Sequence, residues 1–202
     1  DAKLNSPSGV ALGPGGEVYI NDTGNHRIRV VEPYGIIRTF AGTGRPISVL
    51  QDGVTATLTD LDLGVVGGVA VTADGEILFA EPGSRLIRKV TESGMLYTVA
   101  GLSEKNPDAF TSGPAVSQVI GSSRMLAVGP GGQVAVTGSW GPTTRAVHHL
   151  RILTPSNNGQ ITHTHTVGST SELVRNADGT FTRRDLNGTI HTYSSQGLKT
   201  GW

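Results

Sequence analysis

Residues 12–20 read LGPGGEVYI, a glycine-based tight turn that leads into a short strand of alternating residues. The same element returns as TADGEILFA at residues 72–80 and as GPGGQVAVT at residues 129–137. A turn of this kind followed by alternating apolar residues is typical of a β-hairpin. The three copies are spaced about 58 residues apart, and regular spacing of this length indicates a repeat architecture.

Each repeat contains three more short alternating segments. In the first repeat they read GVALG (9–13), RIRVV (27–31) and YGIIRTFAG (34–42). The second repeat has GVAVT (68–72), LIRKV (86–90) and SGMLYTVAG (93–101), and the third has MLAVG (125–129), LRILT (150–154) and NGQITHTHTVG (158–168). Four antiparallel strands per repeat, without a helical period between them, are typical of a β-propeller blade. We therefore predict an all-β fold in which residues 1–169 form about three blades.

Long polar linkers separate the repeats, at residues 43–62 and 102–123. They match each other internally, since DGVTA (52–56) falls where SGPAV (112–116) does. We expect each linker to run from the last strand of one blade to the first strand of the next.

The corner NDTGNHRIRVV at residues 21–31 places Asp22 and His26 in one loop. Such a pair could belong to a metal or catalytic site, or to a structural corner that recurs. The second repeat replaces this stretch by AEPGSRLIRKV at residues 80–90, in which Arg85 stands where the first repeat has His26. A metal site is not expected to lose its histidine and keep the corner, so the repeat favours a structural corner.

Two residues of the corner recur in the second repeat. Gly24 matches Gly83, and Arg29 matches Arg88. A glycine at this place permits a positive φ in the turn. Asp22 is expected to accept backbone N–H groups in a local Asx turn.

The stretch PSGVALGPGGEVYINDTGNHRIRVV at residues 7–31 resembles an NHL repeat, with Asn25-His26-Arg27 in place of the Asn-His-Leu triplet. The resemblance implies a propeller of six blades as a rule. It therefore implies further blades outside this chain, on the N-terminal side.

The rhythm shortens after Leu173, where turn glycines Gly179, Gly188 and Gly197 recur every nine residues. Each leads into a short alternating strand, which predicts a meander of hairpins. The segment resembles the opening of an RHS or YD-repeat region, so residues 170–202 are predicted to begin an RHS/YD β-shell. An NHL propeller that runs into RHS/YD repeats is similar to teneurins and their bacterial relatives.

Histidines are the main candidates for metal chemistry. His148 and His149 are adjacent, and His163 and His165 would lie on one face of a strand. Zinc requires three or four ligands, and no third ligand is evident nearby. The resemblance also includes the peptide-amidating lyases, which use zinc in the propeller axis. We nevertheless assign no catalytic, cofactor-binding or metal residues.

Composition excludes several other chemistries. The chain has no cysteine, which excludes disulfides, thiolate zinc sites and cysteine nucleophiles. Its 16 basic residues balance 16 acidic residues, which disfavours a dedicated phosphate-binding surface. The glycine-rich turns at residues 13–16 and 129–132 lead into strands, whereas a phosphate loop leads into a helix. Basic residues recur at one blade corner and are expected to pair with nearby acids or to pack their stems between blades; they are Arg27, Arg29, Arg85, Arg88 and Lys89.

The sequence thus predicts a non-catalytic structural or interaction module of a large exported or cell-surface protein. It would bind a protein or glycan, or cap the shell, without a cofactor, nucleic acid or membrane contact. The alternatives are a metal-dependent propeller lyase or hydrolase, and an RNA-binding propeller. Asn21 and Asn187 head N-x-T sequons, which are glycan acceptors in a secreted eukaryotic protein.

Overall fold

The structure is a computed structural model. It describes residues 2–46, 49–101, 113–115, 120–140, 147–155, 161–168, 172–175, 181–184, 190–193 and 199–201. Strands dominate this part of the chain, and its helical structure includes two single 3-10 turns, Thr23–Asn25 and Ala56–Leu58. None of the described segments is a helix of the length and apolarity that a membrane span requires.

The strands form four antiparallel sheets. Blade 1 contains β1 (Pro7–Leu12), β2 (Val18–Asp22), β3 (Arg27–Val31) and β4 (Ile37–Ala41). Blade 2 contains β5 (Val54–Thr55), β6 (Val69–Val71), β7 (Ile77–Glu81), β8 (Leu86–Val90) and β9 (Met95–Ala100). Blade 3 contains β10 (Gly113–Pro114), β11 (Ser122–Val128), β12 (Val134–Trp140), β13 (Val147–Pro155) and β14 (Ile161–Gly168). The C-terminal sheet contains β15 (Glu172–Arg175), β16 (Phe181–Arg184), β17 (Ile190–Tyr193) and β18 (Lys199–Gly201).

Four strands of each blade follow one another in the sheet, which confirms the predicted all-β fold with four-stranded repeats. Blades 2 and 3 each carry a fifth strand, because the order is β5-β9-β8-β7-β6 in blade 2 and β10-β14-β13-β12-β11 in blade 3. The linkers therefore do run from blade to blade, but on the way each pairs with the outermost strand of the next blade. Gly42 N–H donates to Ala56 O and Gly101 N–H donates to Ala115 O, both at 2.9 Å.

The strand register corrects the sequence alignment of the third repeat. Ile20 pairs with Arg29, Phe79 with Arg88, and Val136 with Arg151. Arg151 is therefore the counterpart of the two earlier arginines, whereas the alignment of LRILT with RIRVV placed Ile152 there. A slip of one residue exchanges the two faces of a strand, so this register decides which side chains lie between blades.

Two apolar clusters hold the blades together face to face. The first joins blades 1 and 2 and includes Ile28, Phe79 and Leu96. The second joins blades 2 and 3 and includes Leu78, Ile87, Leu126, Val136 and Leu153. Blade 2 thus buries both faces, as a single propeller blade must do by stacking on its neighbours.

The innermost strands of adjacent blades approach each other at glycines. A Cβ atom on Gly9 would lie 2.7 Å from Gly67 O, and one on Gly68 would lie 2.8 Å from Leu126 N. Gly68 N–H donates to Arg124 O across this contact. Side chains larger than hydrogen would push the blades apart here.

The C-terminal sheet pairs in the order β15-β16-β17-β18, which is the meander that the nine-residue rhythm predicts. Its turns, at residues 176–180, 185–189 and 194–198, lie outside the described residues, as does Asn187. Sheet order is the same as that of the four consecutive strands in blades 1 to 3.

Candidate functional site

Asp22 ties the β2–β3 corner to the segment that leads into β1. Its side chain is fully buried. Oδ1 accepts the backbone N–H of Asn5 at 2.8 Å, and Oδ2 accepts Nδ2–H of Asn25 at 2.8 Å. Asn5 O in turn accepts the N–H of Gly24 at 2.9 Å. The expectation of a local Asx turn was therefore wrong, because the backbone N–H that Asp22 accepts lies 17 residues away in sequence.

Glu81 repeats this arrangement in blade 2. Its Oε1 accepts the N–H of Asp62 at 2.7 Å, and Gly83 N–H donates to Asp62 O at 3.2 Å. In both blades, a buried carboxylate accepts the N–H of one residue in the segment that leads into the innermost strand, and a corner glycine donates to the carbonyl of the same residue. This recurrence supports the structural interpretation of the corner.

The corner glycines are needed for space rather than for a positive φ, which corrects the sequence expectation. Neither Gly24 nor Gly83 has a positive φ. A Cβ atom on Gly24 would lie 2.6 Å from Cγ of Asn5. The left-handed conformation falls two residues later, at His26 with φ 49° and at Arg85 with φ 59°.

His26 contacts the linker to the next blade. Its Nδ1 lies 3.0 Å from Leu61 O. His149 of blade 3 is 5% exposed, and its Nε2 lies 2.9 Å from Ile120 O. Both rings therefore make bonds to a carbonyl of a segment that leads into an innermost strand. Within the described residues, no three His, Asp or Glu side chains form a group that could hold a metal ion.

His163 and His165 are described only at the backbone, and the side chain of His148 is outside the described part. In β14, His165 pairs with Ile152 and His163 pairs with Leu153, so one extra residue lies between the two histidines. A bulge of this kind interrupts the strand's alternation. The predicted shared face of the two histidines rests on regular alternation, which the backbone does not have here.

A buried ionic cluster, here called the carboxylate latch, fixes the linker strand to blade 2. Arg88 Nη1 donates to Glu81 Oε2 at 3.1 Å and Nη2 donates to Asp52 Oδ1 at 2.9 Å. Thr98 Oγ1 donates to the same Asp52 oxygen at 3.0 Å. Arg88 and Glu81 have 0% side-chain exposure. Burial raises the pKa of Glu81, opposed by the Arg88 charge and by the N–H of Asp62.

Sequence reasoning predicted acid partners for the recurring basic residues but missed the latch. Lys89 Nζ also pairs with Glu76 Oε2, at 2.9 Å, on the more exposed side of the strand. The signals for the latch were an arginine repeated at one position and an Asp-Gly pair in the preceding linker. Neither signal shows that the two segments meet, because Asp52 lies in the linker, 36 positions before Arg88.

An open cavity, here called the corner cavity, lies where the segment that leads into β6 and the start of β11 meet the corner of blade 2. Its volume is about 400 Å³, and it is lined by residues 64–66, 82–83, Ser122 and Arg124. Val65 is 84% exposed there. A second cavity of about 310 Å³ lies between the β1–β2, β6–β7 and β11–β12 hairpin turns, near residues 12–14, 71–73 and 128–130. Sequence reasoning missed both cavities, because each combines separate repeats.

Comparison with known proteins supports the repeat and the fold. Residues 4–31 match the NHL repeat family, and no curated protein sequence matches the chain. A gluconolactonase from Xanthomonas campestris is 15% identical, with a TM-score of 0.53, over 98% of this chain and 62% of that one. A putative gluconolactonase is 12% identical, with a TM-score of 0.53, over 100% of this chain and 64% of that one.

A third solved structure, a protein of unknown function from Bacteroides thetaiotaomicron, is 10% identical, with a TM-score of 0.55, over 91% of this chain and 46% of that one. This chain therefore spans less than two thirds of the length of each of these three proteins. At such identities the likeness is one of fold. The chain carries an NHL repeat within an all-β, propeller-like fold.

Proposed function

We propose that the chain is a non-catalytic structural and interaction module within a larger propeller protein. The observation that supports this most directly is the use of its buried charged groups. Asp22, Glu81 and Arg88 hold one chain segment to another, and His26 bonds to the linker of the next blade. Groups that could otherwise serve chemistry are thus engaged in fixing the chain segments of their own blade or, for His26, the linker to the next blade.

The corner cavity is the place where such a module would contact a ligand. Val65 and Val66 expose apolar surface beside the cation of Arg124. Arginine is enriched at protein–protein contacts, and the buried centre of such contacts is more apolar than the rest of the surface. None of the described lining residues carries an aromatic ring on which a sugar could stack, so a protein ligand is favoured over a glycan.

The RNA-binding alternative finds little support. Arg88 and Lys89 are paired with carboxylates, and paired cations are less available to phosphates. Charge balance across the chain points the same way. Salt-sensitive binding of single-stranded RNA by the purified chain would favour the RNA-binding alternative instead.

For residues 170–202 we retain the interpretation of an RHS/YD beginning, in an exported or cell-surface protein, on the support of the nine-residue glycine rhythm. A fourth blade is the competing interpretation. It has the support of the meander order of β15 to β18 and of two neighbours whose likeness covers 98% and 100% of this chain. A density map of the parent protein would show the sheet either stacked on blade 3 or continuing into a shell.

A metal-dependent lyase or hydrolase is the second candidate, because two solved structures of similar fold are a gluconolactonase and a putative gluconolactonase. Metal content and hydrolysis of gluconolactone test it, on the wild-type chain and on the double variant His163→Ala/His165→Ala. We expect no stoichiometric zinc, and no hydrolysis by the wild type above that of the double variant. Zinc at one equivalent, lost in the double variant together with turnover, would establish the enzyme instead.

Light scattering on a sizing column, paired with limited proteolysis, tests the need for neighbouring blades. We expect the chain alone to associate or to be cleaved readily, since open blade edges favour aggregation. A compact, protease-resistant particle would contradict the proposal that the module needs neighbours.

A further inference from the structure

One face of blade 1 is uncovered where its counterpart in blade 2 is buried. Val10 on β1 is 65% exposed, whereas Val69, its counterpart on β6, is 5% exposed. Leu12 is 74% exposed, and its counterpart Val71 is half-buried and packs against the first apolar cluster. Blade 1 therefore presents to solvent the same face by which blade 2 receives its neighbour.

The outer edge of β4 is open in the same way. In blade 2 the carbonyl of Leu96 accepts the N–H of Gly53 at 2.8 Å, and that of Gly94 accepts the N–H of Ala56 at 2.9 Å. Their counterparts in blade 1 are Ile37 and Gly35. Among the described strands, none pairs with this edge of β4.

Arg29 occupies the position of Arg88 without its carboxylates. Its Nη1 donates to Thr39 Oγ1 at 2.7 Å, whereas in blade 2 both Arg88 and Thr98 donate to Asp52. No described carboxylate lies within ion-pair distance of Arg29.

The carboxylate of the blade 1 corner does not replace the missing partners of Arg29. Asp22, the counterpart of Glu81, has a shorter side chain, and its two oxygens accept hydrogen bonds from Asn5 and Asn25. The pair Arg29 and Thr39 thus has two donors aimed at the place where blade 2 holds an aspartate.

We propose that the β4 edge, with Arg29 and Thr39, binds an extended segment that carries an aspartate two residues before a short strand, as Asp52 precedes β5. The segment belongs to a neighbouring blade, so this inference rests on the proposed function. The strand pairs with β4, and its aspartate accepts hydrogen bonds from both donors. The rest of the neighbouring blade covers Val10 and Leu12.

A labelled peptide with the sequence of residues 49–58 (VLQDGVTATL with its first residue at position 49) is the probe, and fluorescence anisotropy with the whole chain is the measurement. The chain's own copy of this segment already occupies blade 2, so among the described strands of blades 1 to 3 the outer edge left unpaired is that of β4. We expect the peptide with Asp52→Asn to bind about tenfold more weakly, since hydrogen bonds between ionised partners are the strong ones. Arg29→Gln in the chain should weaken the native peptide about tenfold and abolish discrimination between the two peptides.

Arg38→Gln is the matched control. It removes an equal charge from the neighbouring strand β4, where Arg38 forms an exposed pair with Glu32, and it should leave binding unchanged. If Arg29→Gln fails to fold, Thr39→Val replaces it and should also weaken the native peptide selectively. Equal binding of the two peptides, or an equal loss in Arg38→Gln, would overturn the proposal. A dimer that Arg29→Gln dissociates would also overturn it, since a second copy would then fill the face.

The two proposals fail in different ways. If the chain associates or is readily cleaved but does not bind the peptide, the docking proposal is wrong and the proposed function is unaffected. If the chain is a compact, protease-resistant monomer, it does not need neighbouring blades, and both the proposed function and the docking proposal are wrong.

Discussion

Replacing Arg88 by methionine tests the carboxylate latch most directly. The change keeps an unbranched apolar stem and removes the guanidinium, which leaves Glu81, at 0% exposure, with the N–H of Asp62 as its described hydrogen-bond donor. Removing one partner of a buried ion pair costs about 3–5 kcal/mol. In a chain of this size each kcal/mol lowers the melting temperature by about 2–4 °C, so a fall of roughly 6–20 °C is expected.

The matched control is Lys89→Met on the neighbouring position. Its pair with Glu76 is 30% and 27% exposed, and pairs of this kind contribute about 0.2–1 kcal/mol. Urea unfolding of wild type, Arg88→Met, Lys89→Met and the double variant Glu81→Gln/Arg88→Met measures the four free energies. The double variant should regain stability over Arg88→Met, because a neutral amide has no unpaired charge to bury.

The loss of stability in Arg88→Met should depend on pH. Burial raises the pKa of Glu81, and Arg88 is the largest opposing influence, so Arg88→Met should raise that pKa further. A carboxyl whose pKa is raised in the folded state favours folding while it is protonated and loses that contribution as the pH rises through the folded pKa. The loss in Arg88→Met should therefore be greatest at neutral pH and shrink as the pH falls through the raised pKa. A loss that equals that of Lys89→Met, or that is independent of pH, would refute the latch as a source of stability.

Two further substitutions address the blade contacts. Gly68→Ala places a Cβ 2.8 Å from backbone N of Leu126 and should cost about 1–3 kcal/mol of unfolding free energy. Gly15→Ala should be near neutral in the same urea titration, because the three atoms nearest to its Cβ all belong to the flexible carboxylate of Glu17. His26 has φ 49°, so His26→Val should lose about 2–3 kcal/mol from backbone strain and the lost bond to Leu61 O. His26→Asn should lose about 1 kcal/mol in thermal unfolding, because asparagine tolerates the left-handed region; equal losses for the two variants would contradict the strain argument.

The sequence predicted the repeating strands and the recurring corner because both rest on local patterns, namely alternation and turn glycines. It did not predict the register of the third repeat. HLRIL and LRILT both alternate, so the pattern cannot distinguish Arg151 from Ile152, and only the pairing with Val136 does so. Here local periodicity leaves two faces equivalent until packing chooses between them.

Long-range chemistry was beyond the sequence for a related reason. Gly24 was expected to supply a positive φ, yet it is required by the approach of Asn5, a residue that no local pattern connects to it. The acid partners of Arg88 come from its own corner and from the preceding linker, and only the sheet brings them together. The sequon at Asn21 was equally ambiguous until its side chain proved fully buried, which leaves no room for a glycan in the folded chain.

Because β5 belongs to the sheet of blade 2, the structural unit of this blade begins earlier in the chain than the sequence repeat does. Gln51 and Asp52 precede β6 in the chain, yet they complete the ionic cluster of the blade that follows. A truncation placed just before β6 would strip blade 2 of its edge strand and of one acid partner. The segment that could be deleted, duplicated or transplanted intact therefore begins near residue 51 and ends near residue 101, and boundaries drawn on the sequence repeat alone would cut through it.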